Sequence, residues 1–328
     1  MNDPAPPAPP PSAWARVDAA FNGWLFGPEG PLRLGVSRAV ACGLYAAYFG
    51  GFDSFTGYAA AADALGVDAP GLAEAVLAPG IPPDPVMAGL HAAWVLALAL
   101  GALGLFTRPA LWVAAALAFY LLALPTGFGK VSHVEPTAVW VLLILASSRC
   151  GDAFSLDALR RERAGRPAPA PSGAYRWPVR LVWVQVSLVF GLAGWQKIEA
   201  AGLAWAMPAS FVPMTIEHFY YADPVSRLAL WLPSLGPFAA FFGLVSLLGE
   251  ALFPLVLVSR RARLILPPML FSMQIGIALF LGIYFWPFLP AYAFFVPWER
   301  VVQSWGEDGR ALGSPRERVQ GAGLRSQG

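Results

Sequence analysis

Residues 87–126 read MAGLHAAWVLALALGALGLFTRPALWVAAALAFYLLALPT, and Arg108 is the one Asp, Glu, Lys or Arg residue among them. A helix that crosses the hydrocarbon core of a bilayer needs about 20 predominantly apolar residues. The stretch therefore predicts two membrane spans, 87–106 and 109–126, joined by a short basic turn. Its apolar residues run continuously instead of alternating, which excludes the strands of a membrane barrel. The same reading along the chain adds spans at 34–51, 136–149, 180–199, 237–258 and 264–285. The expected fold class is all-α: a polytopic helical membrane bundle of about seven or eight spans, with interfacial and re-entrant segments.

Composition points the same way. Hydrophobic residues make up 57% of the 328, charged residues 13%, and mean hydropathy is +0.56; soluble domains carry about 25% charged residues. A net charge of +2 gives no electrostatic footprint for nucleic acid. Cys42 and Cys150 are the only cysteines and form no CxxC, so neither a disulfide framework nor a zinc ribbon is available. With three histidines in all, no metal site is predicted, although the neighbours His133/Glu135 and Glu217/His218 have suitable side chains.

Outside the spans, residues 1–13 read as a disordered proline-rich tail with no basic n-region of a secretory signal. Trp14, Val17, Phe21, Trp24 and Leu25 then recur at roughly helical spacing, as in an interfacial amphipathic helix or a short helix packed on the protein. Residues 202–216 are apolar but interrupted by proline, the pattern of a re-entrant or interfacial segment. The run 284–298, YFWPFLPAYAFFVPW, is either an eighth span or a helix broken at the outer surface, and its prolines favour the break. The membrane domain thus covers 14–298, and 299–328 reads as a polar, disordered tail. Arg149, Arg160, Arg161, Arg163, Arg166, Arg176 and Arg180 crowd the loop between spans four and five and the start of span five, whereas 52–86 has acids and no Lys or Arg. By the positive-inside rule the N-terminus is cytoplasmic, in a multi-pass protein of the cell membrane.

That topology gathers the rare proton-exchanging residues on one side. The chain has twenty arginines but only Lys130 and Lys197 as lysines, and both fall at the outer face with His91, His133 and His218. Lysine, unlike arginine, exchanges its proton when buried, and histidine does so near neutral pH. A snorkelling Lys197, an exposed Lys130 and a hydrogen-bonded interhelix His91 are the structural alternatives. Glu250 lies deep in span six, where a carboxylate is either functional or pairs helices, with Arg38 as a plausible partner.

Three stretches together resemble the horizontally transferred transmembrane (HTTM) domain, the membrane portion of the vitamin K-dependent γ-carboxylase family. They are LGALGLFTRPALWVAAALAFYLLALPTGFGKVSHVEPTAVWVLLILASSRCGDAFSLDAL, VFGLAGWQKIEAAGLAWAMPASF and GEALFPLVLVSRRARLILPPMLFSMQIGIALFLGIYFWPFLPAYAFFVPW. Two spans joined by a basic turn, a histidine opening the next span, an SLD, a glycine–lysine helix end, an acid-bearing span and a Phe/Pro-rich exit follow the family order over about residues 30–298. The resemblance implies that Lys197 is the base that deprotonates vitamin K hydroquinone, or menaquinol, and that His133 supports it. Oxygen and carbon dioxide are the co-substrates of such a carboxylase. Gly191, Gly194, Trp195, Gln274 and His91 are the implied cofactor-binding residues, the glycines leaving room for a flat ring. Gln274 stands where the family commonly has a histidine, and the family's large lumenal region has no counterpart in these residues. The expected function is a quinol-linked membrane enzyme that abstracts a proton from a peptide or small substrate at the outer face. The partners would be membrane lipid, an isoprenoid quinone and a secreted peptide. A non-catalytic maturation or immunity factor for a secreted peptide is the alternative, and a quinone-linked redox subunit a third reading.

Overall fold

The computed structural model describes residues 12–51, 55–65, 80–128, 134–210, 212–213, 216, 230–231, 234 and 237–302. Lys130, His133, Glu217 and His218 lie outside the described residues, as do most of both expected tails. Among the described residues the regular elements are helical, with one isolated β-bridge between Glu29 and Ser172. The helices are α1 (Ala13–Phe26), α2 (Pro31–Gly50), α3 (Tyr58–Leu65), α4 (Asp84–Leu103), α5 (Thr107–Gly127), α6 (Glu135–Ser147), α7 (Leu156–Arg163), α8 (Gly173–Ala201), α9 (Pro237–Leu252) and α10 (Arg260–Leu281). Short 3₁₀ turns follow α8 at Gly202–Ala206 and α9 at Phe253–Leu257, and a third spans Leu289–Phe295. The chain divides into two compact units, Met1–Phe295 and Val296–Gly328. In the second, the described residues include a helical turn over 298–302 that follows Pro297.

Among the described residues, five helices are long and apolar enough to cross a membrane: α4, α5, α8, α9 and α10. The seven or eight expected spans include two that fall short of this measure. Helix α2 has the length but carries Arg33 and Arg38, and α6 is apolar but has only 13 residues, about 20 Å at 1.5 Å per residue. Helices α2, α4, α5 and α6 pack as successive neighbours, and α8 lies against α6 and α9. Helix α1 buries none of its residues and leaves Trp14, Val17 and Phe21 more than half exposed, as an interfacial helix does.

Arg38 fixes one end of the bundle. Its side chain is fully buried, and its guanidinium donates to the carbonyls of Gly35 (3.3 Å), Gly101 (3.1 Å) and Phe154. Gly101 lies in the last turn of α4, where its carbonyl also accepts from the Gly104 amide (3.2 Å). Next to it, Gly104 closes α4 at φ +66°, and a Cβ there would stand 2.1 Å from Arg38 Nη1 and 2.2 Å from Ser155 Cβ. Both the backbone and the space demand glycine. The SLD of residues 155–157 completes the joint: Ser155 Oγ accepts from the Ala158 amide (2.8 Å) and caps α7. Asp157 accepts from the Phe106 and Thr107 amides (3.1 and 2.8 Å) and from the Thr107 hydroxyl (2.7 Å), and so caps α5. The partner expected for Arg38 was Glu250. The structure instead turns each of its three nitrogens to a backbone carbonyl, on α2, at the end of α4 and before α7, as a fork of fixed N–H groups can do.

The prolines of 284–298 do break the helix, as their number favours. After Gly282, which ends α10 in the left-handed conformation, residues 282–286 are partly exposed and the chain of the first unit then turns inward at Pro287 and Phe288. Phe288 packs edge-on against Phe190, and Phe295 stacks on Trp183. The Phe294 carbonyl accepts from Arg33 Nη2 (2.8 Å) and Trp183 Nε1 (2.9 Å), and the Ala293 carbonyl from Ser37 Oγ (3.0 Å). Pro287 and Pro290 deny the segment a regular helix. Irregular backbone at this depth is tolerated only where protein surrounds it and side chains satisfy it, and Pro290–Phe294 are all buried. The first unit therefore ends at the same arginine-bearing end at which it begins.

Arg38→Ala removes three hydrogen bonds and empties a fully buried site, and should cost about 3 kcal/mol or more. Arg38→Lys, a point donor without the fork, should restore only part of the loss, read as unfolding in a denaturing detergent. Burial pushes the Asp157 carboxyl up, but its bonds from Thr107 and Phe106 and the nearby Arg160 outweigh this and hold it below the usual carboxylate value. The stabilisation is then complete at neutral pH and is lost as pH falls through that lowered value. Asp157→Asn should remove this acid-dependent part and cost about 1 kcal/mol at neutral pH.

Candidate proton-exchange site

Helix α8 presents Gly191 and Gly194 to α9. A Cβ on Gly194 would stand 2.3 Å from the Ala251 nitrogen and 2.8 Å from the Glu250 carbonyl carbon, and one on Gly191 would stand 2.7 Å from Pro254 Cγ. Small residues let two helix backbones approach in this way. The room expected for a flat ring is therefore occupied by α9 itself, and the two glycines are packing residues.

Their effect is to set Glu250 beside Lys197, one turn beyond Gly194. Helical side chains lean toward the N-terminus of their own helix, so in this antiparallel pair Lys197 leans back toward the level of Gly194 and Glu250 leans to meet it. Lys197 Nζ lies 2.5 Å from Glu250 Oε2. Glu250 Oε1 accepts from Ser246 Oγ at 3.3 Å, one turn earlier on α9. The Glu250 side chain is 6% exposed and that of Lys197 25%, so the carboxylate is the deeper partner. The ammonium also sits 4.5 Å from the centre of the Trp205 ring, a cation–π contact. Trp205 is held there because its 3₁₀ turn docks on Gly243, where a Cβ would stand 2.5 Å from the Ala206 carbonyl.

Two further polar groups are buried on other elements, Gln274 on α10 and Tyr292 in the turn Leu289–Phe295. Gln274 and Tyr292 are buried, and neither Gln274 Oε1 nor the Tyr292 hydroxyl has a hydrogen-bond partner among the described residues. Tyr292 packs against Phe271 and Phe288 and lies within electrostatic range of Glu250. Orphaned buried polar atoms are uncommon and mark places where a polar group from outside the chain can dock.

The other expected site residues are arranged differently. His91 is buried between α2 and α4, where Nε2 lies 2.8 Å from the Phe49 carbonyl and the ring packs on Phe55. It is an interhelix hydrogen-bonding group. Trp195 is 62% exposed and its ring makes no part of the Lys197 contacts. His133 falls outside the described residues. The arrangement of Lys197, Glu250 and Ser246 was only half visible in the sequence: both charged residues stand out as rare intramembrane groups, but their pairing depends on contacts across 53 positions. Tyr292 carried no signal beyond its place in an aromatic run.

Compared with family models, with curated proteins and with solved structures, the chain shows no match.

Removing one partner of a desolvated pair leaves the other uncompensated. Lys197→Ala, which strands the deeper carboxylate, should therefore destabilise more than Glu250→Ala, which strands an ammonium still in contact with Trp205 and solvent. The double variant Lys197→Ala/Glu250→Ala should be less destabilised than the sum of the two, by about 1 kcal/mol or more in a double-mutant cycle.

Proposed function

We propose that this chain is an integral membrane enzyme resembling the vitamin K-dependent γ-carboxylases, in which Lys197 takes a proton in a quinol-linked reaction at the outer face. The observation that carries the reading is the 2.5 Å contact between Lys197 Nζ and the buried Glu250 Oε2. Taking an ammonium and a carboxylate into an apolar bundle strips both of hydration. The proposed chemistry uses the neutral form of the pair, amine and carboxylic acid, beside the ionic one. A proton that moves from Nζ to Oε2 frees the amine to accept one from a donor at the site. Glu250, steadied by Ser246, holds the first proton meanwhile, and Trp205 caps the ammonium when it re-forms.

The cofactor in this reading is an isoprenoid hydroquinone, vitamin K hydroquinone or menaquinol, which when bound supplies the acidic hydroxyl and the reducing equivalents for oxygen. Gln274 Oε1 and the Tyr292 hydroxyl suit it, because both are buried polar atoms in need of a partner. Carbon dioxide is the second co-substrate if the product is a carboxylated glutamate of a secreted peptide. Eight crossings with a cytoplasmic N-terminus fit the arginine distribution: α2, α4, α5, α6, α8, α9 and α10 as α-helices, and 282–295, with its 3₁₀ turn, as an irregular return. The long arginine-bearing segment between α6 and α8 is then inside, and Lys197 is near the outer face.

A second reading has its own observation. Gly191 and Gly194 serve helix packing, so the ion pair can act as a tie between α8 and α9 in a non-catalytic maturation or immunity factor for a secreted peptide. Arginine separates the two, since it keeps the charge and the tie but holds its proton. In detergent-solubilised protein, Lys197→Arg should fold normally yet lose oxygen-dependent conversion of vitamin K hydroquinone to its epoxide by about 10²-fold or more, the range of general-base effects. Unchanged conversion in Lys197→Arg, or none in the wild type, would favour the tie. A cysteine at Ser172 should resist impermeant thiol reagents in intact cells, and labelling there would reverse the topology.

A further inference from the structure

At the opposite end of the first unit, four arginines converge on two tryptophans with a single carboxylate among them. Arg33 Nη1 and Arg176 Nε reach the two oxygens of Glu29 (3.4 and 3.2 Å). Arg33 Nη2 also donates to the Phe294 carbonyl, Arg176 Nη1 to the Gly23 carbonyl (3.0 Å), and Arg263 Nη1 to the Val256 carbonyl (2.7 Å). Arg180 differs. Its Nε and Nη1 are buried and have no hydrogen-bond partner among the described residues. Its guanidinium carbon stands 4.1 Å from the Trp183 ring centre and 5.3 Å from that of Trp24.

Arg33 and Arg263 stand 5.0 and 5.2 Å from the same Trp183 ring. Three guanidiniums about one indole repel one another, and the tryptophan faces offset only part of this. One carboxylate against four cations leaves an excess of three positive charges among the described residues of the cluster, and Arg180 Nε and Nη1 have no hydrogen-bond partner there. A phosphate monoanion or diester answers both needs, since it brings negative charge and acceptor oxygens matched to the guanidinium fork.

The surroundings indicate where that phosphate comes from. Leu264 and Ile265, directly after Arg263, are 64% and 60% exposed, and Leu181, beside Arg180, is exposed too. Trp14, Val17 and Phe21 lie on one exposed face of α1, whose Trp24 belongs to the cluster and donates Nε1–H to the Leu257 carbonyl (3.0 Å). Apolar surface meeting an arginine and tryptophan belt is the signature of the headgroup level of a membrane. Lys197 lies about 26 Å farther along α8 from Arg180, at 1.5 Å per residue, close to the thickness of a hydrocarbon core.

We propose that the Arg180 cluster is a binding site for the phosphate of an anionic phospholipid, seated on Trp24 and Trp183 between α1, α8 and α10. The site is independent of the lysine–glutamate chemistry and stands whether or not the protein is an enzyme. Arg180 supplies the bidentate donor, and Arg33, Arg176 and Arg263 the surrounding field, as in basic pockets that hold lipid headgroups between membrane helices.

The test is thermal unfolding of full-length protein in mild detergent, titrated with phosphatidylglycerol, with phosphatidylcholine and with inorganic phosphate, alongside native mass spectrometry of retained lipid. The expected result is stabilisation by phosphatidylglycerol well above that by phosphatidylcholine, with anionic lipid retained after purification. Arg180→Gln should weaken that lipid effect about tenfold, the loss expected for one charge-assisted bidentate contact. Arg160→Gln, at an exposed arginine of α7, should leave it unchanged. Inorganic phosphate acting as strongly as the lipid would overturn the lipid assignment in favour of a free anion. Equal stabilisation by both lipids with no effect of phosphate would overturn the site altogether. If Arg180→Gln does not insert, the wild-type comparison of the two lipids and phosphate decides alone.

Discussion

Holding a lysine and a glutamate together inside an apolar bundle costs the hydration of both, and the pair persists only because α8 and α9 meet backbone to backbone. At Gly194 there is no space for even a methyl group against Ala251, so the helices come close enough for Glu250 to reach Lys197. The same closeness carries the 3₁₀ turn after α8 onto Gly243, which sets Trp205 over the ammonium. Glycine here serves helix contact, and the pairing of Lys197 with Glu250 is a consequence of that contact. Substituting Gly194 would part the pair before it altered either charged group.

Much of the helical plan was legible in the sequence because hydrophobic runs report helix positions directly. The runs at 87–106, 109–126, 237–258 and 264–285 correspond to α4, α5, α9 with its 3₁₀ turn, and α10. The 180–199 reading began late, because Arg176 and Arg180 look like loop charges in sequence. In the fold they belong to the first turns of α8, where Arg176 pairs with Glu29 and Arg180 lies over indole faces. Partners were not legible. Arg38 was expected to pair with Glu250 because both are rare charges in apolar segments, yet Arg38 satisfies carbonyls at the end of α4. Nothing in a one-dimensional pattern separates a charge that needs a counter-charge from one that needs carbonyls. The glycines before Lys197 likewise read as open space, although a missing side chain is as often filled by a neighbouring helix.

The two ends of α8 divide the labour. At the arginine end, fork-shaped cations that keep their charge tie down helix ends, the Phe294 carbonyl and the aromatic belt. At the far end stands the one described lysine, against the deepest carboxylate of the bundle. Arginine suits fixed recognition of carbonyls, carboxylates and phosphates, whereas lysine suits a group whose proton must move. The return of 287–295 through the interior joins the ends physically. It brings Tyr292 near Glu250 and delivers the Phe294 carbonyl to Arg33 and Trp183.

The proposed role of Lys197 as a base requires that it share a labile proton with Glu250, where a fixed ion pair would not. Infrared difference spectroscopy of the purified protein, with and without a reduced naphthoquinone, measures this at Glu250 itself. The account predicts a deuterium-sensitive protonated-carboxyl band that appears on adding the quinol, is absent in Glu250→Gln, and is lost in Lys197→Arg. A Glu250 that gives only an ionised-carboxylate band, unchanged by quinol, would contradict it.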